Sequence, residues 1–174
     1  MVEYWDVYTM NRLKTGRVME RGAAFVEGAY HLVVHACVFN DKGEMLIQQR
    51  QKDKEGWPGY WDITVGGSAL AGETSQEAVM RELKEELGLA LDLAGVRPHF
   101  SITFDNGFDD TFLVLQAVDV TKLVLQTEEV QAVRWASRDE ILAMIDAGIF
   151  IPYFKSKIDM CFELVGQYGA IKWS

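Results

Sequence analysis

Apolar positions alternate in short runs near the start of the chain and recur at helical spacing in its middle, a pattern that predicts both strands and helices. Residues 3–8 (EYWDVY) and 17–20 (RVME) flank the polar stretch TMNRLKTG and predict a β-hairpin. Residues 30–39 (YHLVVHACVF), rich in Val and aromatic side chains, predict a strong strand. Asp41-Lys42-Gly43 turns the chain, and residues 45–50 (MLIQQR) return as a second strand. QKDKEGWPGY is punctuated as a loop. Residues 62–65 predict a short strand that runs into a turn at Gly66-Gly67.

The period then changes. Val79, Leu83 and Leu87 recur every four residues with Met80 beside them, forming the apolar face of a helix. Thr74 followed by Glu77 is a capping-box pattern, and Gly88-Leu89 is a left-handed glycine stop. Residues 96–104 and 111–120 predict strands around a turn DNGFDD, and residues 130–135 another strand. Ser137 with Glu140 opens a helix to about residue 147, and Pro152 precedes a last helix over residues 153–166. The sum is an α+β fold: a mixed β-sheet with helices on each side, an α/β/α sandwich behind an N-terminal β-hairpin.

A chain of 174 residues suits one well-cored domain, with residues 1–28 as a hairpin extension. No apolar run approaches the roughly 20 residues of a membrane span. MVEYWDVYTM lacks a basic-then-apolar leader pattern. Cys37 and Cys161 lie in apolar contexts without metal spacing and read as buried free thiols. These features predict a cytoplasmic protein. A net charge of −9 argues against long contacts with nucleic-acid backbone, which need clustered Lys and Arg. It leaves room for a small anionic ligand held through a metal.

The acids concentrate on the central helix. Glu82 and Glu86 are one turn apart, Glu85 is three residues from Glu82, and Arg81 and Glu85 are spaced to pair. Like charges at this spacing cost roughly 0.2–0.5 kcal/mol per pair, so the helix alone reads as a solvated acidic face. Gly66-Gly67 alters that reading, because glycine lets backbone approach closely and aim a carbonyl at the helix. Carboxylates with a backbone carbonyl are hard oxygen ligands, suited to Mg²⁺ or Mn²⁺.

Gly67, five residues, Glu73, seven residues and then RELKEELGL (residues 81–89) resembles the Nudix box at every fixed position. The resemblance implies hydrolysis of a diphosphate linked to another moiety, often a nucleoside diphosphate derivative. It implies metal ligation by Glu82, Glu85 and Glu86 with the carbonyl of Gly66. Arg81 would orient a glutamate and Glu73 would brace the loop. The metal would neutralise phosphate charge and lower the pKa of the attacking water. Family members often carry a general base in a later loop before a Trp-containing strand. Glu128 and Glu129 ahead of Trp135 match that layout, with Glu129 preferred; Asp109 and Asp110 read as turn residues.

The hairpin, YHLVVHACVFNDKGEMLIQQR and WPGYWDITVGG also resemble the Nudix subgroup that includes isopentenyl diphosphate isomerase, an enzyme that moves a double bond and hydrolyses nothing. Aligned on Trp61 and Glu73, the isomerase's catalytic cysteine falls at Gly66 and one metal-binding histidine at Ser68. His31 matches another, but the set is incomplete while the glutamates are whole. Isomerase activity is therefore not expected. The intact glutamates also argue against a module that binds a nucleotide without turning it over. His31 and His35, on one strand face, read as packed or hydrogen-bonded. Arg50 is placed to meet phosphate, and Trp57, Phe104 and Phe108 are candidates to stack on substrate. The expected partner is a small diphosphate compound, without nucleic acid or membrane, and the hairpin could pair across a homodimer.

Overall fold

The computed structural model describes residues 2–172. Its sheet is organised around β3 (His31–Phe39), the strand with the densest run of Val and aromatic side chains. Along its whole length β3 pairs in parallel with β8 (Gly107–Leu115), and β8 carries the edge strand β7 (Phe100–Phe104). The other side of β3 is shared. β6 (Val65–Ser68) pairs antiparallel with Val33 to Ala36, and β4 (Met45–Arg50) meets it at Phe39. β4 in turn pairs with β9 (Val130–Ala136) and the short β5 (Trp61–Asp62).

Strand alternation divides the core into two. Leu32, Val34, Ala36 and Val38 pack with Val79, Leu83 and Leu87 of α1 (Ser75–Leu87). Cys37 and Phe39 point the other way, onto Ile141 and Met144 of α2 (Arg138–Asp146) and Ile158 and Cys161 of α3 (Lys155–Leu164). The result is a mixed sheet between helices, as the sequence predicts. Burying a side chain such as Leu83, fully inaccessible here, contributes roughly 1.5–3 kcal/mol. Both capping boxes form: Thr74 accepts from the amide of Glu77, and Ser137 from that of Glu140, each glutamate answering the cap's own N–H. Gly88 closes α1 at φ 65°. Cys37 and Cys161 are buried free thiols with sulfurs 3.9 Å apart. No helix among the described residues is long and apolar enough to cross a membrane.

The hairpin β1 (Tyr4–Tyr8) and β2 (Lys14–Glu20) is a separate two-stranded sheet. It grips the loop before α1. The amide of Ala71 donates to the Tyr4 carbonyl (2.7 Å), that of Gly72 to Asp6 Oδ2 (2.8 Å), and Lys14 Nζ to the Glu73 carbonyl (3.2 Å).

Several boundaries differ from expectation. Gly66 and Gly67 are strand residues of β6, not a turn; hydrogen bonding to β3 keeps them extended. The predicted strand over 96–104 begins only at Phe100. The turn in DNGFDD shrinks to Asp105-Asn106, and Gly107 to Asp110 belong to β8. Asp109 and Asp110 are therefore buried strand residues rather than turn residues, because cations neutralise them. Lys157 pairs with Asp109, which is also hydrogen-bonded to the His35 ring, and Arg12 pairs with Asp110. β8 ends at Leu115, short of the predicted 120, and α3 starts two residues later than predicted.

Candidate active site

Helix periodicity brings Glu82, Glu85 and Glu86 to the face of α1 that meets β6. Gly67 makes the approach possible. A Cβ there would lie 2.1 Å from Glu82 Oε1, so a side chain would occupy the carboxylate's place. Arg81 gathers the surrounding acids. Its Nε donates to Glu73 Oε1 (2.7 Å) and its Nη2 to Glu73 Oε2 (3.1 Å) and the Ser68 carbonyl (3.1 Å). Nη1 donates to Glu82 Oε1 (2.9 Å) and Glu85 Oε2 (3.1 Å). Glu73 also accepts from the amide of Leu70 (2.8 Å), tying Arg81 to the loop that the hairpin grips.

The acids are less solvated than an exposed helix face implies. Glu86 is 9% exposed, and only a neutral donor, Gln48 Nε2 at 2.7 Å, bonds its carboxylate. Burial pushes its pKa up to about 8, with Glu82, Glu129 and Asp62 adding to the rise and Gln48 opposing it. Burial also raises Glu82, against the pull of Arg81. Glu85 remains about half exposed. These groups line a cavity of about 180 Å³ together with Gly66, Gly67 and Arg81. Glu129, paired with Lys54, also lines it, as do Arg50 and, from the hairpin end, Glu3 and Arg21.

The NUDIX domain model matches residues 29–154. This chain belongs to the Nudix hydrolase family. An uncharacterized Nudix hydrolase of Listeria monocytogenes is 50% identical over 153 residues, 88% of this chain and 90% of that protein. An isopentenyl-diphosphate Delta-isomerase of Salmonella heidelberg is 33% identical over 127 residues, 70% of each chain. Among solved structures, DR0079 from Deinococcus radiodurans shares the fold at TM-score 0.74 and 23% identity, covering 91% of this chain and 99% of its own. A MutT protein from Methanosarcina mazei matches at TM-score 0.63 and 25% identity over 80% and 97%.

In this Nudix hydrolase the residues that carry the box fit a hard divalent cation. The available donors are carboxylate oxygens and a glycine carbonyl, and two of the carboxylates have lost their water. No three His, Cys, Asp or Glu side chains among the described residues already converge on one point, because Arg81 bridges Glu82 and Glu85.

Two candidate stacking residues lie elsewhere. Phe108 is a core residue on β8, packed against Tyr8 and Tyr30 with Arg12 over its ring. It lines neither the carboxylate cavity nor the cleft that adjoins it. Phe104 sits on edge strand β7, edge-on to His31, and lines a different pocket with Ile102 and Phe154. Trp57 is half exposed in a cleft that adjoins the carboxylates, and Arg50 borders both spaces. Gln48, Glu3 and Arg21 escaped the sequence reading; His35, read there as packed or hydrogen-bonded, is hydrogen-bonded to Asp109 and borders the adjoining cleft. A Gln inside the apolar run of β4 was the one local signal; the others reach the site only through strand pairing and hairpin docking.

Proposed function

We propose that this Nudix hydrolase cleaves a diphosphate linkage in a nucleoside diphosphate derivative or similar small compound, using Mg²⁺ or Mn²⁺. The observation that carries this reading is the pair Glu82 and Glu86, both desolvated beside a glycine-lined cavity, Glu82 held by Arg81 and Glu86 bonded only by the neutral Gln48. Glu82, Glu85, Glu86 and the Gly66 carbonyl would hold the cation. Bound there, it supplies charge neutralisation for the phosphate oxygens and acidifies the attacking water. Arg81 holds Glu82 and Glu85 in place, and Glu73 anchors Arg81. Glu129, which lines the same cavity, is the candidate to take the proton of the attacking water, and its partner Lys54 sets its position. Catalysis of this kind is chiefly positioning and electrostatics.

Isomerase chemistry is the weaker reading despite the Salmonella relative. Gly66 stands where the resemblance puts the isomerase's cysteine, and both cysteines of this chain are fully buried in the core.

A panel of diphosphate compounds tests the proposal, scored by released phosphate with Mg²⁺ and Mn²⁺. Glu82→Gln and Glu86→Gln should each lower kcat by about a hundredfold or more while melting normally. Unchanged turnover in either would refute the assignment. Glu129→Gln should lower kcat as well; near-normal kcat across pH would place the base elsewhere. Conversion of isopentenyl diphosphate to its allylic isomer at a useful rate would favour the alternative.

A further inference from the structure

The carboxylate cavity opens into a second cleft of about 340 Å³, and the two share Arg21, Arg50, Gly66, Gly67 and Ser68. β6 forms the boundary. Successive strand residues face opposite ways, so Gly67 faces Glu82 and Gly66 faces His35. A Cβ on Gly66 would lie 2.3 Å from His35 Cδ2 and 2.6 Å from its Nε2. The imidazole thus takes the space that a side chain on Gly66 would fill.

The orientation of that ring is set from behind. His35 Nδ1 is bonded to Asp109 Oδ1 at 2.7 Å, and Lys157 Nζ donates to Asp109 Oδ2 at 2.9 Å. The Asp109 and Lys157 side chains are each 10% exposed. Burial alone would raise the Asp109 carboxyl, but His35 and Lys157 hold it down at about 2. Lys157 lies 4.7 Å from the centre of the Tyr153 ring, and that ring stands edge-on to His35. Nε2 is left as the outward nitrogen, with no hydrogen-bond partner among the described residues. Buried ion pairs are poor sources of stability compared with apolar packing. A construction that uses one to orient an unpaired ring nitrogen at a cleft wall is better explained by a ligand.

The other walls of the cleft are Trp57, Ile151, Tyr153 and Val33. Trp57 is half exposed and held at φ 52°, a left-handed conformation that bulky residues rarely adopt and that tends to cluster at ligand clamps.

We propose that this cleft takes the organic half of the diphosphate substrate. His35 Nε2, aimed by Asp109 and Lys157, selects a hydroxyl-bearing group there, a sugar or ribosyl unit rather than a hydrocarbon chain. The proposal rests on the diphosphate reading of the adjoining cavity. A hydroxyl both donates and accepts, so it pairs with Nε2 whichever way the ring is protonated. Arg21 and Arg50, at the shared rim, meet the phosphate charge. A hydrocarbon would cover Nε2 without offering it a partner, and sites built for hydrogen bonding reject such analogues strongly. His35 touches the substrate; Asp109 and Lys157 are positioning residues.

The test uses the full chain with ADP-ribose, UDP-glucose and isopentenyl diphosphate as probes. Turnover is measured with Mg²⁺, and binding by titration calorimetry with Ca²⁺ in its place. The hydroxylated probe that is turned over best should exceed isopentenyl diphosphate in kcat/KM by about a hundredfold or more. His35→Ala should raise the KM for that probe about tenfold with little change in kcat. His35→Gln, which keeps a hydrogen-bonding tip, should recover much of the loss, and Asp109→Asn should raise the same KM by a smaller factor. Melting curves identify any variant that has lost its fold, in which case the Gln variant decides. Equal use of isopentenyl diphosphate, an unchanged KM without the imidazole, or no binding of either hydroxylated probe would overturn the proposal. Binding that depends on His35 without turnover of any probe would instead overturn the hydrolase reading and leave this one standing.

Discussion

Gly66 and Gly67 do opposite jobs one residue apart. Each lacks a side chain so that a functional group from another element can occupy its space: Glu82 from α1 at Gly67, and His35 from β3 at Gly66. Neither needs a positive φ, so the requirement for glycine here is steric rather than conformational. Gly67→Ala would meet the far end of the Glu82 side chain, which can swing away without disturbing the backbone. Stability should therefore change little, while displacement of the carboxylate lowers kcat by about a hundredfold. Paired melting and steady-state measurements check both halves, and wild-type kcat in the Ala variant would remove Glu82 from the reaction. The glycine pair and the glutamates were visible in the chain because their chemistry is local. The surroundings of Glu86 were not: its loss of water comes from Gln48 and from its packing, and neither has a local signature.

At the scale of elements, α1 was legible throughout. Its apolar period, capping box and glycine stop are all set by residues within a few positions of one another. Thr74→Ala should destabilise the protein by about 1 kcal/mol, through loss of the side-chain acceptor for the Glu77 amide. A chemical denaturation series checks this, and a midpoint equal to wild type would show that tertiary packing alone holds the helix end. β8 was misread at its start for the converse reason. Asn, Gly and Asp favour turns locally, but the parallel pairing of His31 to Gly107 and onward through Asp110 draws GFDD into the sheet. Two buried aspartates become tolerable because Arg12, His35 and Lys157 arrive from the hairpin, from β3 and from α3, with Ser101 of β7 also donating to Asp110. Arg12, His35 and Lys157 are 98, 74 and 48 residues away in the chain.

On the scale of the molecule, the hairpin closes one end of the sheet and reaches the site. It holds the loop at residues 71–73, lies outside the stretch matched by the family, and leads into Arg21 at the rim. It also covers His31, whose ring stacks 4.4 Å from that of Trp5, with the tilted ring of Phe25, from the segment after the hairpin, 5.0 Å away. Burial lowers the His31 pKa to about 4, and its Nδ1 has no partner. The unfolded chain, with a His near its ordinary value of about 6.5, then takes up a proton that the folded protein refuses. His31 thus imposes no penalty above that value, and stability falls as pH drops from 6.5 towards 4, by up to about 3 kcal/mol. Glu86, raised to about 8, contributes in the opposite direction over this range, so the effect of His31 is read as the difference in denaturation midpoint between the protein and His31→Phe, which should change as pH falls. An equal slope in the variant would place the acid sensitivity elsewhere.

The chain by itself determined the periods, the caps and the order of strands and helices, together with the spacing of Glu73, Arg81, Glu82, Glu85 and Glu86. These depend on interactions between near neighbours, which a linear pattern records. Only the tertiary structure decided which of those acids lose their water, which aromatic residues face a cleft, and which distant cations neutralise Asp109 and Asp110. It also set His35 beside Gly66. Burial and charge pairing between residues far apart in the chain arise when the sheet assembles, and no local pattern carries them.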